Sequence, residues 1–250
     1  MTLCLKSWLT HNEGKKVTAA WQEGKQEGLS GSIFMKSAHE LYIAKSLDRR
    51  FEHHFLVTTF LPAYFTYIDA YPDTRLNRLV DLLVADGLAL TGLYKHRYYI
   101  ILENVALSEK GEKKELFDLK PQDFFEPFRD LLPSREGTTD LLPEEKKLRL
   151  SNEEKASLLT QLEKDLDFLA EQQTIDYSLL LVRDASSGKG TLYLIDYFWS
   201  LTELRPLLSK KASDLVRLPE MTTTATPRDY ATSVLKLAKD CIEGPIPSHL

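Results

Sequence analysis

The chain has 250 residues, 43% hydrophobic and 28% charged, a composition that excludes disorder and fibrous repeats and fits one large domain or two joined lobes. Its 32 basic and 37 acidic residues leave a net charge of −5, which excludes the basic footprint of a nucleic-acid coat; an anionic partner must meet a local basic patch. Two cysteines, Cys4 and Cys241, are too few for a disulfide framework or a zinc cluster and point to a reducing compartment.

The start, MTLCLKSWLTHNEGKK, lacks a basic leader region and breaks its apolar run at Lys6, so no signal peptide is expected. Gly24, Gly28 and Gly31 then punctuate a β-turn before a strand at residues 32–35, and residues 40–46 (ELYIAKS) read as a second strand with Lys45 near its end. Residues 51–68 are aromatic and predict a helix up to Pro62, which should end or kink it. The longest uncharged stretch, residues 55–68, has fourteen residues. A membrane helix needs about 20, so a soluble intracellular protein without a transmembrane segment is expected. Apolar runs within residues 76–90 and at 98–102 (YYIIL) read as sheet core. The polar stretch 108–115 (SEKGEKKE) is the candidate boundary between an N-terminal part, residues 1–106, and a C-terminal part, residues 107–250.

In the second half, Ser151 and Glu154 have the spacing of a capping box, followed by Leu158, Leu159, Leu162, Leu166 and Leu169 on one helical face. Two apolar runs, 178–182 (SLLLV) and 191–195 (TLYLI), flank a loop of hairpin composition, RDASSGKG. The last helix should start at Thr226-Pro227 and stop at Gly244-Pro245.

The hairpin carries the most chemical information. Asp176 precedes its first strand and Asp196 follows its second, so antiparallel pairing brings both carboxylates to one sheet edge. Such a pair suits one general base and one ligand for a hard divalent cation. By spacing alone, turn residues capping the strand ends are the commoner reading. Asp118 in FDLK adds a third acid with Lys120 two residues on, a pattern that by itself is more often a solvated loop. Gly28, Ser30, Gly31 and Ser32 form a turn poor in side chains, whose amides could approach phosphates, although neither the P-loop ending nor a serine-hydrolase elbow is present. The six histidines offer no metal-binding spacing.

The order of parts is that of a two-lobed ATP-dependent kinase: a Gly/Ser turn, a strand lysine, a helix with glutamate, an apolar strand ending in Glu103-Asn104, and two aspartates around a later hairpin. At this point the chain resembles the phosphatidylinositol phosphate kinase family. The resemblance covers roughly residues 28–242 through GLSGS, YIAKS, LPAYFTYI, LENV, FDLK, KDLDFL, IDYSLLL, YLIDYF and TPRDY, with IDYSLL followed by LIDYF its specific part. Some wording, notably LPAYFTYI and the LIDYF region, is similar to the branch acting on phosphatidylinositol 3-phosphate.

The resemblance implies an α+β, two-lobed, protein-kinase-like fold of the SAICAR synthase-like type with antiparallel sheets. It implies ATP and magnesium as cofactors and a phosphoinositide headgroup on an anionic membrane surface as partner, hence a cytoplasmic protein peripheral to membranes. Carried over by position, Lys45 binds ATP phosphate, Asp176 is the catalytic acid-base residue, Asp196 is the magnesium ligand, and Glu103 and Asn104 lie at the adenine hinge. Asp118 and Lys120 approach the transferred phosphate and headgroup. Glu52 is the candidate helix partner of Lys45, with Glu40 and His53 as alternatives. The chain departs from the family after FDLK, where Pro121-Gln122 stands in place of Gly-Ser. Residues 205–217 carry Arg205, Lys210, Lys211 and Arg217 against Asp214, a local charge of +3 suited to an anionic lipid surface. A soluble inositol polyphosphate kinase and a catalytically weak phosphoinositide-binding module are the rival readings.

Overall fold

The computed structural model describes residues 21–23, 34–47, 50–84, 98–107, 113–121, 142–202 and 226–243. It divides into two compact units, one of residues 1–50 and 77–107 and the other of residues 51–76 and 108–250. The aromatic helical stretch after residue 50 therefore groups with the second unit, although it lies early in the sequence.

The first unit is a five-stranded antiparallel sheet of β1 (Trp21–Glu23), β2 (Phe34–Ser37), β3 (Tyr42–Leu47), β4 (Leu79–Val84) and β5 (Tyr98–Glu103), in the order β1-β2-β3-β5-β4. The apolar runs of the sequence form its centre, where Ala44, Leu47, Tyr99, Ile100, Ile101 and Leu102 are buried. Central strands lose water on both faces, which favours such continuous apolar runs over alternation.

The second unit opens with the aromatic helical run. Helix α1 (Arg50–Phe55), whose first residue belongs to the first unit, leads into a π-helical turn (Leu56–Phe60) and then α2 (Leu61–Ala70). The helix does not end at Pro62; the irregularity expected there takes the form of a π-helical turn. Pro62 has no N–H to donate, and its ring collides with the carbonyl four residues back in a regular helix. The turn before it widens instead, Leu61 N–H bonding to the Leu56 carbonyl, and the helix restarts with Pro62 in its first turn. The wide turn carries Phe60 into an aromatic core, 5.7 Å from Phe55, 5.6 Å from Tyr64, 5.7 Å from Phe168 and 5.4 Å from Tyr197 between ring centroids.

Helix α3 (Asn152–Glu171) starts at a complete capping box: Glu154 N–H donates to Ser151 Oγ and Ser151 N–H to the Glu154 carboxylate. Its buried stripe contains Leu158, Leu162, Leu166 and Leu169 as the spacing predicts, with Leu159 only half-buried and Asp165 fully buried among them. Helix α4 (Pro227–Asp240) packs on α3 and starts at Thr226 with Pro227 inside the first turn. It ends at Asp240, before the expected Gly244-Pro245 stop, which lies outside the described residues.

Strands β6 (Lys114–Leu119), β8 (Ser178–Asp184) and β9 (Gly190–Ile195) form an antiparallel sheet in the order β6-β8-β9, while β7 (Thr174–Ile175) pairs with β10 (Trp199–Ser200). The β8–β9 connection is the expected hairpin. Its loop is closed by Asp184, whose carboxylate accepts from the amides and hydroxyls of Ser186 and Ser187, and by Gly188 at φ 71°. The strand β6 is pinned to β8 by Arg183, which donates to Glu115 at 2.6 Å. Among the described residues, no helix is long and apolar enough to cross a membrane.

Candidate functional site

Two ladders run toward each other and stop short. On one side Thr174 pairs with Ser200 and Ile175 with Trp199; on the other Ser178 pairs with Ile195. Between them lie Asp176 and Tyr177 on the first strand pathway, and Asp196, Tyr197 and Phe198 on the second. Both aspartates are left-handed, Asp176 at φ 64° and Asp196 at φ 61°. That region is unfavourable for residues with a Cβ and is tolerated best by aspartate and asparagine among them. Two such residues facing one break in a sheet turn both chains out of the pleat at the same level. Spacing placed both carboxylates at one sheet edge; the register puts that edge at a shared break.

Lys120, immediately after β6, reaches into this break. Its ammonium donates to the Asp176 backbone carbonyl at 2.6 Å and to Asp176 Oδ1 at 3.0 Å, with both side chains largely shielded from solvent. The resemblance directs Lys120 toward a headgroup; the structure sets its ammonium against the aspartate. Asp118, two residues earlier, stands opposite Leu180 on the half-buried face of the sheet, with Tyr193 next across.

Asp196 is held from behind. Phe198 N–H returns to the Asp196 carbonyl at 2.9 Å, and Tyr197 is buried in the aromatic core against Phe60 and Tyr64. Strand β9 is also fastened at Leu194, whose N–H donates to the Arg75 carbonyl and which forms a parallel bridge with Leu76.

That fastening depends on Asp165, a residue the sequence reading assigned no role. Its carboxylate accepts from Tyr67 hydroxyl, Thr74 hydroxyl and Arg75 N–H, each at 2.7 Å, and from the Gln161 amide at 3.0 Å. Burial pushes the Asp165 carboxyl up, against the hydrogen bonds that favour its charged form. An acid in the middle of a leucine face, in KDLDFL, was the available signal, because a buried carboxylate requires a full set of donors.

In the first unit, Lys45 is buried in β3 between Phe34 and Ile100, with its ammonium 5.4 Å from the Phe34 ring centroid. Glu103 ends β5 exposed. Asn104 is buried and shapes the turn that follows: its amide donates to the Glu40 carbonyl at 2.6 Å, its side-chain oxygen accepts from Ala106, and its N–H bonds to the Leu41 carbonyl. Glu40 lies in the β2–β3 turn at φ 55°, 3.6 Å from Lys36, which removes it as a helix partner for Lys45. Glu52 is buried on α1 and His53 half-buried beside it. Gly28, Ser30, Gly31, Ser32, Lys210 and Lys211 lie outside the described residues.

Among the described residues, no group of three or more His, Cys, Asp or Glu could hold a metal ion. Magnesium rarely needs one, because it takes one or two carboxylates and completes its shell with phosphate oxygens and water. Asp196, left-handed at the break and half-buried, supplies one such carboxylate.

Residues 16–236 match the phosphatidylinositol-4-phosphate 5-kinase family. The chain belongs to the phosphatidylinositol phosphate kinases. A phosphatidylinositol 4-phosphate 5-kinase of Plasmodium falciparum is 31% identical over 162 residues, covering 62% of this chain and 9% of that protein. The human 1-phosphatidylinositol 3-phosphate 5-kinase is 27% identical over 246 residues, covering 86% of this chain and 11% of that protein. A mouse phosphatidylinositol 4-phosphate 5-kinase-like protein 1 is 30% identical over 157 residues, 61% of this chain and 37% of the relative. This phosphatidylinositol phosphate kinase chain thus spans about a tenth of the length of the first two relatives. Its mixed α and β architecture with antiparallel sheets accords with that family.

Proposed function

We propose that the chain transfers the γ-phosphate of ATP to a hydroxyl of the inositol ring of a phosphatidylinositol phosphate. The observation that carries the reading is the pair of left-handed aspartates at one break between two ladders. In-line phosphoryl transfer needs one group to accept the hydroxyl proton and another to hold charge on the phosphates, and little else.

In this reading Asp176 accepts the ring hydroxyl proton as the ring oxygen bonds to the γ-phosphorus, and the bond from that phosphorus to the bridging oxygen breaks to release ADP. Lys120 keeps the carboxylate oriented and its own positive charge beside the transferred group. Asp196 would hold magnesium, which when bound neutralises charge on the ATP phosphates. Lys45 meets the phosphates, with Gly28, Ser30, Gly31 and Ser32 covering them through backbone amides. Glu103 lies at the adenine edge, on a turn whose shape Asn104 maintains. Asp118 faces the headgroup, and Lys210 and Lys211 rest on anionic lipid at a cytoplasmic membrane surface. Residues 1–106 serve as the ATP-binding lobe and residues 107–250 as the catalytic and lipid-facing lobe of one kinase domain.

The test is transfer of labelled phosphate from ATP to a panel of phosphoinositides in vesicles and of soluble inositol phosphates, with and without magnesium. Labelling of vesicle lipid, abolished in Asp176→Asn, is expected. Labelling of soluble inositol phosphates alone would favour a soluble inositol polyphosphate kinase. Vesicle binding without labelling would favour a phosphoinositide-binding module.

A further inference from the structure

We propose that Tyr230 is a positioning residue for Asp176, its hydroxyl holding the interrupted strand that presents the carboxylate; this rests on Asp176 being the base. The ladder pairs neither Asp176 nor Tyr177. A carbonyl inside a fold that the sheet does not pair needs another donor. Side chains from two different elements supply it: Lys120 donates to the Asp176 carbonyl at 2.6 Å, and Tyr230 hydroxyl donates to the Tyr177 carbonyl at 2.6 Å.

These two bonds hold the carbonyl of the left-handed residue and that of the residue after it. An L-residue is less favourable at φ 64° than in an extended conformation, and the strands on either side are both extended. Released from its anchors, the segment would relax toward a continuous strand, and a period-two pleat would swing the Asp176 carboxylate to a different direction. The anchor from α4 is well placed to resist this. Tyr230 has no solvent exposure, and its ring stands edge-on to Tyr177 at 4.8 Å and 87°. One turn earlier, Pro227 and the reciprocal Thr226–Asp229 cap fix where the helix begins, and Arg228 bonds Asp167 of α3 at 2.8 Å. The height of the hydroxyl over the break is therefore set by a capped helix and not by a loop.

A merely structural tyrosine would predict that activity follows stability, so two variants are compared in the full chain. Tyr230→Phe keeps the ring and removes only the hydrogen bond. Val234→Ala opens a cavity on the same buried face of α4 and leaves the hydroxyl in place. Amide exchange across residues 175–178 should accelerate roughly tenfold in Tyr230→Phe and stay near wild type in Val234→Ala. The kcat for lipid phosphorylation should fall roughly tenfold in Tyr230→Phe with the KM for ATP within about twofold, while Val234→Ala keeps its kcat despite the larger loss of thermal stability. Unchanged exchange at 175–178 in Tyr230→Phe overturns the proposal, as does a kcat that tracks thermal stability in both variants. A wild-type chain that labels no phosphoinositide, yet shows the exchange difference, defeats the lipid-kinase reading and leaves the tether standing.

Discussion

Lys120 grips Asp176 twice, at the backbone carbonyl (2.6 Å) and at the carboxylate (3.0 Å). One ammonium thereby fixes both the position and the orientation of the acid. Lys120→Met should lower kcat by about a hundredfold or more, because it removes the orienting cation along with any contact to the transferred phosphate. Lys120→Arg should not restore the rate, since a planar fork cannot occupy the place of a compact ammonium between two oxygens. Asp176→Asn should lose about a hundredfold or more while ATP affinity stays near wild type. Wild-type turnover in any of the three, measured with saturating ATP, would remove this pair from the chemistry.

Asp196→Asn should behave differently. Replacing a carboxylate by an amide weakens a hard-cation site, so the variant should bind ATP more weakly in the presence of magnesium and show little change in its absence. Calorimetric titrations with and without the metal check this. An unaltered magnesium dependence would contradict the assignment of Asp196.

Lys45 is buried within a sheet that allows little movement of its stem. Lys45→Met and Lys45→Arg should both raise the KM for ATP by roughly tenfold or more, the arginine because its wider head does not fit the space of the ammonium. Equal ATP affinity in wild type and both variants would exclude Lys45 from the phosphate site.

Asp165 makes a prediction about pH. Its folded-state pKa is raised, so the charged form is the one that folding disfavours, and the penalty grows as pH rises from the unfolded value of about 4 through the folded one. Asp165→Asn cannot titrate. Its amide would also face a donor, most simply Arg75 N–H, and should cost about 1–3 kcal/mol. The stability advantage of wild type over Asp165→Asn should therefore shrink as the pH rises above about 4, read from denaturant melts at a series of pH values. Asp184 and Asp229 act in the opposite sense. Their hydrogen bonds to Ser186 and Ser187, and to Thr226, hold both carboxyls below the usual range, so their contribution is present above pH about 4 and lost as the pH falls further. A wild-type advantage independent of pH would show that Asp165 is not so perturbed.

Tyr177 offers a stabilising change. Its hydroxyl is buried and has no hydrogen-bond partner among the described residues, while its ring packs on Tyr230. Removing a buried polar group that has no partner relieves a desolvation cost, so Tyr177→Phe should gain about 1 kcal/mol in chemical denaturation. A loss of that size would mean the hydroxyl is satisfied.

Much of this protein was legible in its sequence because the signals are local. The Ser151–Glu154 box, the leucine spacing of α3, Thr226-Pro227 before α4 and the loop RDASSGKG are each decided within a few residues, and the structure contains all four elements. The hairpin then implied that Asp176 and Asp196 share an edge, since antiparallel pairing is a property of the hairpin itself. Tertiary structure alone decided the rest. Asp165 meets Thr74 across 91 positions, Lys120 meets Asp176 across 56, and Tyr230 meets Tyr177 across 53. No periodicity encodes such pairs; they follow from which buried polar groups need partners once the helices and sheets have packed. The left-handed backbone at both aspartates has the same origin, because an unfavourable conformation persists only where surrounding packing and hydrogen bonds outweigh its cost.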